Sequence, residues 1–141
     1  MKKHISLVLM VALSLLAVTL GVLWQRAAHD RSELEALAQA EASEAYNRFL
    51  DFQEKGHDSD YWGGVAAFHA FQSAYTVLVE DTNKSANRIF CNEVYGSLLL
   101  APEQSKAHIS DIVDVMEILS EHVMDENGYV RMAALRNTLQ Q

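Results

Sequence analysis

Four carboxylates, Asp111, Asp114, Glu117 and Glu121, recur at three- and four-residue spacing, with His108 and His122 close by. On a helix that spacing gathers side chains on one face, where acids can coordinate a hard cation. Di-metal sites in helical bundles, however, draw inward-pointing acids from several helices. These four lie opposite an apolar stripe of Ile109, Ile112, Val113, Met116, Leu119 and Val123, so a solvated face is the expected role. His57-Asp58-Ser59-Asp60 offers further oxygen and nitrogen ligands, but it lacks the alternating acids, glycine and distal glutamate of a calcium loop. Helix capping by Asp58, Ser59 or Asp60 is the plainer expectation.

His69 sits in a run rich in aromatic residues and, beside Glu93 or His108, would make an acid–base pair or a metal site. A histidine in that setting is more often packed as a structural residue. Trp62, Phe68, His69, Tyr75, Phe90 and Tyr95 form a candidate pocket lining for a flat or apolar ligand, because pockets between bundle helices are commonly built from aromatic side chains. Aromatics at helical spacing also make ordinary core. Cys91 is the only cysteine, which excludes an intrachain disulfide, and its neighbours Ile89 and Phe90 mark it as a buried small hydrophobe. Asn83-Lys84-Ser85 matches a glycosylation acceptor. There is no nucleophile elbow, P-loop, dinucleotide fingerprint or CxxC. The expectation is a protein that is not an enzyme, with no cofactor and no metal.

The elements that position these residues read as helices throughout. From Arg26 to about Glu54 the chain is rich in Ala, Glu, Leu and Gln and has no Gly or Pro, as a stalk helix would. Its apolar side, Leu34, Leu37, Ala38, Ala45, Phe49 and Phe52, strengthens toward the end, but Glu41 and Arg48 interrupt the stripe and argue against a long coiled coil. Gly56 ends that helix. The next, about 60–80, is apolar on nearly every side and is expected at the centre of a bundle. A turn at Asp81-Thr82-Asn83 leads to a helix over about 84–100. Pro102 and Glu103 then open one over about 102–125, and Asn127-Gly128 breaks it before a short last helix. No segment alternates with period two, so the fold class is all-α.

The first residues are different in kind. Residues 5–24 are twenty uncharged residues, twelve of them Leu, Val or Ile. As a helix this stretch would span about 30 Å, the thickness of a hydrocarbon core. Trp24 falls at the expected interface. A cleaved signal peptide is the competing reading, suggested by Lys2 and Lys3. The apolar run exceeds the usual signal core, and Ala27-Ala28 follow Gln25 and Arg26, which suit cleavage poorly. The organisation expected is therefore a short tail (1–4), a transmembrane helix (5–24), a stalk (25–55) and a compact acidic helical domain (58–141). The short basic tail favours a cytoplasmic N-terminus and an extracytoplasmic domain; after signal cleavage the domain would instead be secreted.

Lys2 and Lys3 are the basic residues of the first 24, so the other 117 residues carry nine basic against nineteen acidic side chains. A net charge near −10 repels phosphate backbones and disfavours nucleic-acid binding. These features together lead to an expectation of a membrane-anchored helical interaction or scaffold protein of the cell envelope, contacting the membrane through residues 5–24 and another protein through its domain. The alternative is an extracytoplasmic sensor that binds a small apolar ligand between the aromatic helices.

Overall fold

The computed structural model describes the backbone of residues 2–80, 82 and 84–140, and the side chains of residues 20, 25–80, 82, 84 and 86–140. Among the described residues the regular elements are six helices and no strand: α1 (Lys2–Lys55), α2 (Asp58–Leu78), α3 (Ser85–Leu100), α4 (Pro102–Ala107), α5 (Ile109–Glu121) and α6 (Glu126–Leu139). The chain divides into two compact units, residues 1–33 and 34–141.

In the first unit, residues 25–33 are exposed, with His29 Nε2 3.0 Å from Glu33 Oε1. The expected membrane stretch 5–24 lies, Leu20 apart, outside the described side chains. Among the described residues no helix is long and apolar enough to cross a membrane. Asp81 and Asn83, of the expected turn and acceptor triplet, also lie outside the described residues.

The second unit is assembled around a single apolar core to which α1, α2, α3, α5 and α6 contribute. From α1 come Ala38, Ala42, Ala45 and Phe49, all fully buried at spacings of four, three and four. The expected stripe included Leu37 and Glu41; Leu37 is instead 49% exposed, because Ala38, one residue and about 100° further round the helix, takes the inward position. Gln39 Nε2 donates to the carbonyls of Ser120 (3.2 Å) and Glu121 (2.6 Å), and Ser43 Oγ donates to Ser120 as well. These bonds satisfy acceptors that the end of α5 would otherwise leave free.

Gly56, at φ 71°, ends α1, and its N–H donates to the Phe52 carbonyl at 2.8 Å. The residue before α2 is His57, and it makes no side-chain cap bond. The expected caps act otherwise: Asp58 and Asp60 occupy the first turn of α2, where the helix dipole favours negative charge. α2 crosses α1 closely at Gly64, where an added Cβ would fall 2.6 Å from the Phe49 ring. α3 packs against α2, α4 and α6, and α6 against α5.

Two boundaries differ from the sequence reading. The single helix expected over about 102–125 is broken at His108 into α4 and α5, and α5 stops at Glu121. Helical propensity runs through the break, but large apolar residues begin only at Ile109. α4 is held to α3 by its buried Ser105, whose Oγ donates to the Ser97 carbonyl at 3.1 Å. The second difference is at Asn127-Gly128, which was expected to separate helices and instead lies inside the first turn of α6. The Asp125 carboxylate accepts from the Asn127 N–H at 2.6 Å and caps that helix. Gly128 is buried there, with Leu119 Cδ2 only 2.5 Å from where its Cβ would stand.

Candidate interaction face

The two sides of the α2/α3 pair are made of different residues. Inward, α2 presents Tyr61, Val65, Phe68, Phe71, Tyr75 and Leu78, and α3 presents Cys91, Val94 and Leu98, all buried. Outward, α2 carries Trp62, Ala66, His69, Ser73 and Val77, all exposed, at steps of four, three, four and four. The outward residues of α3 are Ile89, Asn92, Gly96 and Leu99, at steps of three, four and three. The two stripes adjoin: the His69 ring stacks on Tyr95 with centroids 4.7 Å apart, and Gln72 Nε2 donates to Asn92 Oδ1 at 2.6 Å.

This outward face is poor in charge, although its Val77–Ile89 end adjoins Arg88, one turn before Asn92 on α3, and the exposed Glu80. Residues 61–79 contain no Asp, Glu, Lys or Arg, and neither do residues 94–102. Trp62 is 42% exposed, Val77 54%, Ile89 51% and Leu99 45%. Trp62 with Leu99 stands at one end of the face and Val77 with Ile89 at the other, separated by Ala66, His69 and Ser73 on α2. An added Cβ at Gly96 would meet nothing within 4 Å, and the middle of the face is formed by the stacked His69 and Tyr95 rings. α2, expected as a fully enclosed central helix, is therefore buried on one side only.

The six residues of the expected ligand lining are distributed over both sides. Phe68 and Tyr75 are fully buried, in ring contact with Phe71 at 5.6 and 5.9 Å. Tyr75 also stacks on Tyr129 at 4.6 Å and accepts from Asn87 Nδ2 at 3.2 Å. Trp62 faces outward, with its ring edge against Tyr61. His69 and Tyr95 meet as a stacked pair at the surface. Phe90 is half-buried beneath the Arg136 guanidinium, 5.1 Å from its ring. The partners considered for His69 are engaged elsewhere: Glu93 Oε2 binds Arg136 at 3.1 Å, and His108 Nδ1 lies 3.4 Å from Asp111.

Asp111, Asp114, Glu117 and Glu121 are all exposed along α5. A groove of about 180 Å³ between α5 and α6 is lined by Asp111, Asp114 and Arg131 together with Val115, Leu135 and Thr138. Glu54 and His57, a Glu-x-x-His pair, stand exposed on either side of the end of α1. Among the described residues no three His, Cys, Asp or Glu side chains gather as a metal site. Cys91 is fully buried, and burial pushes its thiol up to about 12, which makes it a poor nucleophile.

The site is braced at one end by Lys106. Its Nζ donates to Asp58 Oδ1 (2.9 Å) and Glu103 Oε1 (3.1 Å), and the ammonium sits 5.3 Å from the Tyr61 ring centre. Asp58 foremost, then Glu103, holds that ammonium above its usual pKa. Tyr61 completes the brace by donating to the Leu98 carbonyl at 2.8 Å, which fixes the Trp62 end of α2 against the Leu99 end of α3. Comparison with known protein families, with characterised proteins and with solved structures finds no match to this chain.

Proposed function

We propose that this chain is a membrane-anchored, non-catalytic interaction or scaffold protein of the cell envelope, with residues 5–24 as its anchor. Residues 34–141 then form the module that meets another protein outside the cytoplasm. The observation that carries this reading is the outward side of α2, which has no formal charge from residue 61 to 79 on a chain of net charge −8, together with the exposed Trp62, Val77, Ile89 and Leu99. The packed rings of Phe68, Tyr75 and Tyr129 favour this use of the aromatic helices over the binding of a ligand between them.

Membrane fractionation of the full-length chain tests the anchor. The chain is expected to keep its full mass and to remain with membranes after alkaline carbonate extraction. Leu15→Arg, a charge at the centre of the span, costs about 3 kcal/mol of insertion and is expected to release it. A mass short by about twenty residues would instead establish signal cleavage and a secreted domain.

A further inference from the structure

We propose that the groove between α5 and α6 is a binding site for a free α-amino acid with an aliphatic side chain. The site lies on a different pair of helices from the interaction face and is independent of both that face and the anchor. α5 and α6 run antiparallel, since Leu119 packs on Gly128 while Asp111 and Thr138 line the same groove. Val115 and Leu135, both buried, give the groove an apolar floor. Asp111 and Asp114 stand on its α5 side and Arg131 on its α6 side, all three exposed.

Charge selects the ligand first. Arg48, Lys55, Lys84, Lys106 and Arg136 are each paired with a carboxylate. Arg131, like Arg88, is paired with none among the described residues, yet two carboxylates line the groove beside it. Asp111 has His108 at 3.4 Å, and Asp114 forms no ion pair among the described residues. A guanidinium left free keeps its planar fork open to a carboxylate, and the two aspartates can accept from an ammonium. A simple anion would meet the aspartates and a simple cation would meet Arg131, so a zwitterion is the ligand that satisfies both walls.

Spacing selects it second. Arg131 and Thr138 are seven residues apart, about 10 Å along α6, and the antiparallel register places Asp114 and Asp111 between those two levels. Two charge-assisted hydrogen bonds of about 2.8 Å, with roughly 3 Å between the charged ends of an α-amino acid, bridge a gap of that scale. Thr138 Oγ1 donates to the Ala134 carbonyl at 3.3 Å, which leaves its lone pairs to accept from the same ammonium. The ligand's side chain then rests on Val115 and Leu135. At about 180 Å³ the groove is smaller than the ~300–1,000 Å³ of sites for drug-sized molecules, which limits the ligand to the size of a single amino acid. The three charges are exposed and screened by solvent, so the dissociation constant is on the order of 0.1–1 mM and rises with salt.

Titration of the full-length chain in detergent with L-leucine, from about 0.05 to 20 mM and followed by amide correlation NMR, tests the proposal. Saturable shifts confined to amides of α5 and α6 are expected. Arg131→Gln should weaken binding by about fivefold or more and Asp114→Asn by about threefold, with the remaining spectrum unchanged because both side chains are exposed. Leucinamide, which lacks the carboxylate, and N-acetyl-leucine, which lacks the ammonium, should each bind at least about fivefold more weakly than leucine. No saturable shift over that range would overturn the proposal, and so would Arg131→Gln binding as well as the unmodified chain. Equal binding of N-acetyl-leucine would reveal a plain anion site and equal binding of leucinamide a plain cation site, and either contradicts the zwitterion. Membrane fractionation and labelling of the α2/α3 face read the proposed function separately, so its failure and the failure of this site are distinguishable.

Discussion

The outward sides of α5 and of α2/α3 belong to one folded unit and are composed in opposite ways. α5 follows the ordinary pattern of an amphipathic surface helix: Ile112, Val113, Val115, Met116 and Leu119 are buried, and Asp111, Asp114 and Glu117 are exposed. α2 buries an equally apolar side, but its exposed side carries Trp62, Ala66, His69, Ser73 and Val77, with no charge among them. Both helices satisfy the core, so core formation cannot explain the difference. Solubility would favour charge on either surface. The uncharged side of α2 is the departure, and the proposed interaction rests on it.

Substitutions on the two sides of α2 and α3 should therefore behave very differently. Phe68→Ala removes a fully buried ring and is expected to cost about 3–5 kcal/mol in denaturant unfolding. Leu99→Ser on the outward side should stay within about 0.5 kcal/mol in the monomer. A large loss from Leu99→Ser would mean that the outward residues serve the fold after all. Gly64→Ala tests how tightly the inner side is seated. Its Cβ would fall 2.6 Å from Phe49, and the expected loss is about 1–3 kcal/mol by the same measurement.

The smallest effect expected near neutrality becomes visible only at high pH. Burial raises the phenols of Tyr61, Tyr75 and Tyr129 above the ordinary value of 10.0. A group whose folded pKa is raised contributes stability that is complete below its unfolded value and is lost as pH climbs toward the folded one. Stability should then be unaffected by these groups below pH ~10 and decline above it, by at most about 1.4 kcal/mol per pH unit for each phenol still protonated in the folded state. Chemical denaturation at a series of alkaline pH values checks this. A flat profile between pH 10 and 11 would show the phenols to be less enclosed than the packing implies.

Much of the helix plan was legible. Gly56 and Pro102 bracket α2 and α3 because each acts through its own backbone: Gly56 reaches positive φ, and Pro102 suits a first helical position. The break at His108 was not legible, since the local sequence remains helix-forming and tertiary packing of Ser105 and Lys106 decides it. Asn127-Gly128 misled for a related reason. Its turn chemistry is real, but the Asp125 cap starts α6 two residues earlier and Gly128 serves the α5–α6 crossing. Within the expected aromatic lining, His69 and Tyr95 do meet. Apolar periodicity alone could not tell which side of α2 was covered. The sequence does carry one sign that α2 departs from an ordinary amphipathic helix, the absence of Asp, Glu, Lys and Arg over residues 61–79.

The most direct test of the face as a contact surface compares labelling at Ala66→Cys with labelling at Glu117→Cys in full-length protein held in its native membranes. Cys91 contributes no background in the folded chain, being fully buried with a thiol raised to about 12. A water-soluble maleimide should modify the cysteine at 117 rapidly and the one at 66 several-fold more slowly, with the difference abolished by denaturation. Equal, rapid labelling at both positions would show the α2/α3 face open to water and contradict the account.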